Sequence, residues 1–238
     1  MKSFKHASVI SNVIIILVLV TSFAVAYFAA GSKQTDALAT NAIYKGDEKT
    51  GKVALMFNVY ERTDNVEQIM RIFEEYGYLT TFFVGGCWAA KNADTIVKMH
   101  TSGFEIANHG YLHRDHAKLS YDENVKEIRL TGRLVGTILK DFDDYERMTL
   151  FAPPSGSIGE PMMKACADLG YKVIMWTRDT IDWRDQDENL IFTRATDNLA
   201  PGELILLHPT DATVAALPRI LDYIKAVGLT ADIVSNVI

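Results

Sequence analysis

The sequence predicts a parallel α/β domain behind an N-terminal membrane anchor, on three observations. Short runs rich in β-branched and aromatic residues alternate with longer amphipathic runs from Lys52 onward. An uncharged run fills residues 7–30, and unusual polar residues gather where the expected strands end. The 238 residues suffice for one domain and an appendage, and the net charge of −6 excludes a basic nucleic-acid binder.

At the start, Lys2, Lys5 and His6 make residues 1–6 basic, and "ASVISNVIIILVLVTSFAVAYFAA" over 7–30 carries no charged side chain. About 20 apolar residues, each rising about 1.5 Å, cross the hydrocarbon of a bilayer. A single-pass transmembrane helix is therefore expected in the cell membrane. The lysines before it place the N-terminus in the cytoplasm and the body outside. Small residues at Ala24-Val25-Ala26 and Ala37-Leu38-Ala39 suit a signal peptidase, and cleavage there would make the chain secreted. Residues 31–51 read as a polar linker and 52–238 as the domain.

Within the domain, "KVALMFNV" is the first expected strand. "DNVEQIMRIFEEYGY" then sets Val66, Ile69, Met70, Ile72 and Phe73 at helical spacing, with Gly77 as the stop. Strand "LTTFFVG", helix "ADTIVKMHTSG", strand "FEIAN" and a helix from Asp122 to about Leu139 follow. The rest reads as strand "MTLFAP", helix "EPMMKACADLG", strand "YKVIMWT", helix "DENLIFTRATDNL", strand "ELILLH", helix "TVAALPRILDYIKAVG" and a last apolar run. This alternation fits an open doubly wound sheet or a closed barrel. No Gly-x-Gly-x-x-Gly follows the first strand, which weighs against a dinucleotide fold. Cys87 and Cys166 are too few for a disulfide framework and form no Cys-x-x-Cys pattern, so a metal would need His and carboxylate ligands.

In a barrel, function gathers at the C-terminal strand ends. Asn58, Asn108 with His109, Pro153 with Pro154, Asp179 with Asp182, and His208 all fall there. His109 and His113 are four apart and on a helical turn would reach one ion; against this, His113 and His116 read equally as loop histidines beside Arg114 and Asp115. His208 ends an apolar strand, where an imidazole needs a partner. Asp179 or Asp182 can bond one ring nitrogen and leave the other as a general acid. Trp183 can wall an apolar pocket.

Together, "NHGYLH", "FAPPSG", "DTIDW" and "ILLHPT" resemble, in order and spacing, the motifs of polysaccharide deacetylases with the NodB homology domain, of carbohydrate esterase family 4 type. The match is nearest to the sporulation-associated subgroup, whose last motif ends in His-Pro-Thr, and covers about Lys52 to Val234. The resemblance implies a deformed (β/α)7-type barrel that hydrolyses N-acetyl groups of acetylated glycans such as peptidoglycan or chitin-like oligosaccharides. It also implies one divalent metal, zinc or similar, held by His109 and His113. His116, Asp64 and Glu61 are the candidates for a third ligand. His208 matches the acid that protonates the leaving amine and Asp182 the carboxylate that orients it. Pro154, Ser155 and Trp183 match the substrate and oxyanion wall, where the Ser155 backbone N–H would contribute a few kcal/mol.

The first motif departs from this pattern. Active members carry Thr-Phe-Asp-Asp-Gly, whereas this chain has "MFNVY", with Asn58 at the base and Val59 at the metal ligand. Ala152 stands where an Arg normally pairs with the base. A buried Arg without its carboxylate costs about 3–5 kcal/mol, so the replacements are coherent. Two expectations follow: a deacetylase assisted by a metal-bound water, or a catalytically impaired member acting as a wall-glycan binding or sporulation and morphogenesis protein.

Overall fold

A computed structural model describes Thr21 and residues 42–238. Apart from Thr21, the anchor expected over 7–30 lies outside the described residues, as do 1–6 and the linker through 41. No helix among the described residues is long and apolar enough to cross a membrane.

The domain is built on eight parallel strands: β1 (Lys52–Val59), β2 (Thr81–Val84), β3 (Glu105–Asn108), β4 (Leu150–Phe151), β5 (Lys172–Val173), β6 (Arg178–Asp179), β7 (Leu204–Leu207) and β8 (Thr230–Ala231). They pair in the order β5-β4-β3-β2-β1-β7-β6, with β8 beside the start of β1. The sheet curls into a half-barrel of the kind the resemblance implies. Its helices are α1 (Thr63–Tyr76), α2 (Gly86–Ala89), α3 (Ala93–Thr101), α4 (Tyr121–Ile138), α5 (Glu160–Leu169), α6 (Asp182–Asp185), α7 (Glu188–Thr196) and α8 (Asp211–Ala226).

Local chemistry explains where these elements stop and start. Helix α1 buries Val66, Ile69, Met70 and Phe73 along one stripe and ends at Gly77, whose φ of 66° few other residues adopt without strain. Helix α4 opens with a reciprocal cap: Ser120 accepts the Glu123 backbone N–H, and the Glu123 carboxylate accepts the Ser120 N–H. Strand β1 alternates with period two. Val53, Leu55, Phe57 and Val59 enter the helix-side core, while Ala54 and Met56 fill the barrel interior with Phe83, Leu206 and Val237. Asn58 therefore follows Ala54 and Met56 inward.

Two expectations need correction here. The run "YKVIMWT" is not one strand: Lys172–Val173 pairs with β4, the chain crosses the seam of the half-barrel, and the following Arg178–Asp179 pairs with β7. The end of the expected linker belongs to the domain, because Ile43 bridges Ile174 and Lys45 bridges Glu203. Two backbone bonds of 2.8 Å, Ile43 N–H to Val173 and Met175 N–H to Ile43, fix the first bridge. Gly46 completes the seal at close range, since a β-carbon there would lie 2.2 Å from the Val237 carbonyl oxygen.

Candidate active site

The C-terminal strand ends surround a cavity of about 620 Å³, within the range usual for small-ligand sites. Asn58, His109, His113, Ser155, Trp183 and His208 all line it, as do Glu61 and Asp179. Asp182 lies fully buried behind His208, and Pro154 is buried under the rim.

On one side of the cavity His208 and Asp182 form a bonded pair. The Asp182 carboxylate accepts the His208 Nδ1–H at 2.8 Å, the His208 backbone N–H at 2.6 Å and the Thr213 hydroxyl at 2.6 Å. A buried carboxylate is costly unless such donors surround it, and these three saturate its inner lone pairs. The Nδ1–H bond fixes the ring tautomer and leaves Nε2 for the cleft. Of the two carboxylates the sequence offered, Asp182 is the partner, while Asp179 accepts the Ile181 backbone N–H at 2.9 Å.

On the opposite side the buried groups at the strand ends are neutral. Asn58 is 5% exposed, and its Oδ1 is buried without a partner. A carboxamide has no basic lone pair near neutral pH, so it can orient a water but cannot take its proton. Ala152 is buried in the barrel interior, and its carbonyl accepts the His109 Nδ1–H at 2.7 Å. Burial then pushes the His109 pKa down to about 3, with only partial opposition from that bond.

His109 and His113 are brought together, but not by a helical turn. They sit on the loop leaving β3, where positive φ at Gly110 (72°) and His113 (52°) folds the segment back, and their ring centroids are 5.3 Å apart. His116 does not join them, which corrects its candidacy as third ligand. It is fully buried, bonds Asn124 Oδ1 through Nδ1 at 2.7 Å, and packs on Phe151 at 5.2 Å. Asp64 instead pairs with Arg62 at 3.6 Å. Val59 is fully buried on the helix side of β1. No group of three or more His, Cys, Asp or Glu that could hold a cation occurs among the described residues. The residues present do not fit the divalent metal that the resemblance implies.

Several site residues escaped the motifs. Thr213 completes the acid network from the first turn of α8, and the "HPT" motif three residues upstream was the available signal. Glu127 holds the histidine loop by accepting the Tyr111 and Leu112 backbone N–H groups at 2.8 and 2.7 Å. Tyr60, directly after the altered first motif, packs its ring on His113 at 4.9 Å. Strain also concentrates here. Arg62, His113, Ser155 and Gln186 line the cleft with positive φ, and Ile181, also positive, precedes Asp182. Such backbones cost about 1–3 kcal/mol each and persist where surrounding structure enforces them.

The parallel half-barrel and the histidine–carboxylate pair at its strand ends agree with the deacetylase motifs of the sequence. The chain belongs to the polysaccharide deacetylase family, hydrolases acting on N-acetyl groups, with residues 45–174 matching that family. It is 31% identical over 210 residues to the uncharacterized protein YlxY of Bacillus subtilis, covering 86% of this chain and 63% of that protein's length. A peptidoglycan-N-acetylglucosamine deacetylase of Bacillus cereus is 26% identical over 190 residues, 78% of this chain and 67% of the relative. Among solved structures, a CE4 family pseudoenzyme from Bacillus anthracis superimposes with a TM-score of 0.78 at 28% identity, covering 83% of this chain and 69% of that one.

Two outcomes test this geometry. Asp182→Asn sets an amide N–H2 against buried donors and is expected to lower stability by about 2–4 kcal/mol in urea unfolding; a loss within error contradicts the network. The second concerns pH. His109 stays neutral in the fold down to about 3 but titrates near 6.5 when unfolded. Between those values the unfolded chain binds the extra proton, so stability falls as pH drops through the window, by up to about 1.4 kcal/mol per unit. His109→Gln is expected to flatten the slope of stability between about pH 6.5 and 4.5. An unchanged slope contradicts the assignment.

Proposed function

We propose that this chain is a membrane-anchored member of the family whose extracytoplasmic cleft binds acetylated wall glycan, peptidoglycan or chitin-like, and whose deacetylation is impaired. The observation that carries this reading is Asn58, a buried amide with an unpartnered Oδ1 at the position the resemblance gives to the general base. A positioned base typically contributes about 10²–10⁴-fold to such a step. The unmet hydrogen bond of the buried Oδ1 is supplied instead by a donor from the ligand, such as an acetamido N–H, or by a bound water. Trp183, 56% exposed on the cleft wall, offers an apolar face to a sugar ring. The uncharged run over 7–30, with the lysines before it, supports the anchor and its orientation.

Residual hydrolysis is a second reading, favoured by the intact His208–Asp182–Thr213 network. In it, His208 Nε2 delivers the proton to the leaving amine, and the attacking water lacks an acceptor for its own. The pseudoenzyme neighbour bears on both readings, since a mutant of that protein is described as having restored enzymatic activity.

The full chain is expected to sediment with acetylated peptidoglycan, and Trp183→Ala to weaken that binding about tenfold. Acetate release is expected to run at least about 100-fold below that of the Bacillus cereus deacetylase assayed alongside. Release at the relative's rate, abolished by His208→Ala, would establish the second reading and overturn the first.

A further inference from the structure

The two faces of α4 differ sharply in charge. Inward, Glu127 holds the histidine loop, Asn124 Oδ1 bonds His116, and the Ile128 carbonyl accepts the Asn108 Nδ2–H at 2.8 Å. Outward, the exposed residues from 126 to 140 are Lys126, Arg129, Leu130, Arg133, Thr137 and Lys140. At 3.6 residues per turn the first five fall within an arc of about 100° and run about 17 Å along the helix. Lys140 continues the line just beyond the last turn at Ile138.

These cations stand unmatched. Nearby, Arg114 pairs with Glu123 at 3.1 Å and Lys164 of α5 with Asp168 at 2.7 Å. No ion pair among the described residues includes Lys126, Arg129, Arg133 or Lys140. The chain holds 30 acidic residues against 24 basic ones, yet no exposed acid interrupts the stripe. Asp122 and Asp141 only flank it, and Asp122 belongs to the first turn, where the helix dipole favours an anion. Leu130, 40% exposed, lies amid the cations. A helix face of this kind matches the interface of an anionic bilayer, where lysine and arginine meet phosphates and an apolar side chain enters the headgroup layer.

The entry of the chain into the domain favours the same partner. Ile43 bridges Ile174 at the end of β5, and α5 leads into β5. Helix α5 is in turn fastened to α4, since the Tyr121 hydroxyl donates to Asp168 at 2.8 Å. Residues 31–41 can span at most about 40 Å. On the anchored reading, a bilayer is therefore the polyanion kept at high local concentration.

We propose that the outer face of α4 docks on an anionic membrane surface, with Lys126, Arg129, Arg133 and Lys140 on lipid phosphates around an inserted Leu130. This rests on the anchored reading and adds a second contact with the bilayer. A crossover helix runs back antiparallel to the strand before it, so docking lays the strands along the membrane. The cleft at their C-terminal ends then opens sideways over the surface.

The test is lysine acetylation of the full chain in vesicles, read residue by residue by mass spectrometry. With about one third phosphatidylglycerol, Lys126 and Lys140 are expected to react about fivefold more slowly than in pure phosphatidylcholine. Lys225, exposed on α8, is expected to react equally in both. The protection is expected to vanish at about 1 M salt, where the Debye length is about 3 Å, and in Arg129→Glu combined with Arg133→Glu. Arg129→Gln combined with Arg133→Gln, which removes charge without reversing it, is expected to weaken the protection at native circular dichroism. Equal reactivity of Lys126 and Lys140 in both vesicles, or protection that survives charge reversal, overturns the proposal. So does equal protection by soluble poly(glycerol phosphate) in neutral vesicles, which assigns the face to a wall polymer instead. A chain that vesicles do not retain overturns the anchored reading and this one together, whereas equal reactivity of a retained chain overturns this one alone.

Discussion

The side-chain alternation of β1 is the constraint on which the site depends. This strand pairs with β2, β7 and β8 at once, so its register is fixed along its length by three ladders. A one-residue slip would turn Phe57 into the barrel and Asn58 into the helix-side core, exchanging apolar for polar burial along the whole strand. Because that slip is forbidden, residue 58 addresses the cleft and residue 59 does not. What chemistry the cleft can support is therefore decided by the identity of one inward side chain and by whatever follows the strand.

The two halves of the cleft have different electrostatics for this reason. On the β7 side, a buried carboxylate is saturated by three donors and fixes an imidazole with a free nitrogen. On the opposite side the buried groups at the strand ends are neutral: Asn58, the uncharged His109 and Ala152. Removing the base and its expected Arg together leaves no orphaned charge, and the remaining defect, the unpaired Asn58 Oδ1, costs far less than a buried ion would. The positive-φ residues around the rim show that the loops are still held in strained conformations. The cleft keeps a shaped wall, which supports the proposed role in recognition over turnover.

Much of this was legible from the sequence where a local rule controls the outcome. Strand β1 coincides with "KVALMFNV", and α1 ends at Gly77 as its αL requirement dictates. The rim residues were found because parallel strands deliver their C-terminal neighbours to one edge. Proximity along the chain misled at His116, because the turns at Gly110 and His113 send it beneath Phe151. The seam crossing at 174–177 carries no periodic signature, since Val173, Ile174, Met175 and Trp176 form one unbroken apolar run into it. Tyr60 was invisible because its contact with His113 forms only once the loop leaving β3 folds back over the end of β1.

The proposed impairment of the cleft rests on the contrast between the bonded His208–Asp182–Thr213 group and the neutral Asn58, His109 and Ala152 opposite it. Histidine ring nitrogen NMR during a Zn2+ titration tests it most directly. The predicted result is a His208 Nδ1–H resonance shifted by its bond to Asp182, with the His109 and His113 ring signals unmoved at one equivalent of Zn2+. Joint displacement of the His109 and His113 signals at one equivalent would contradict it.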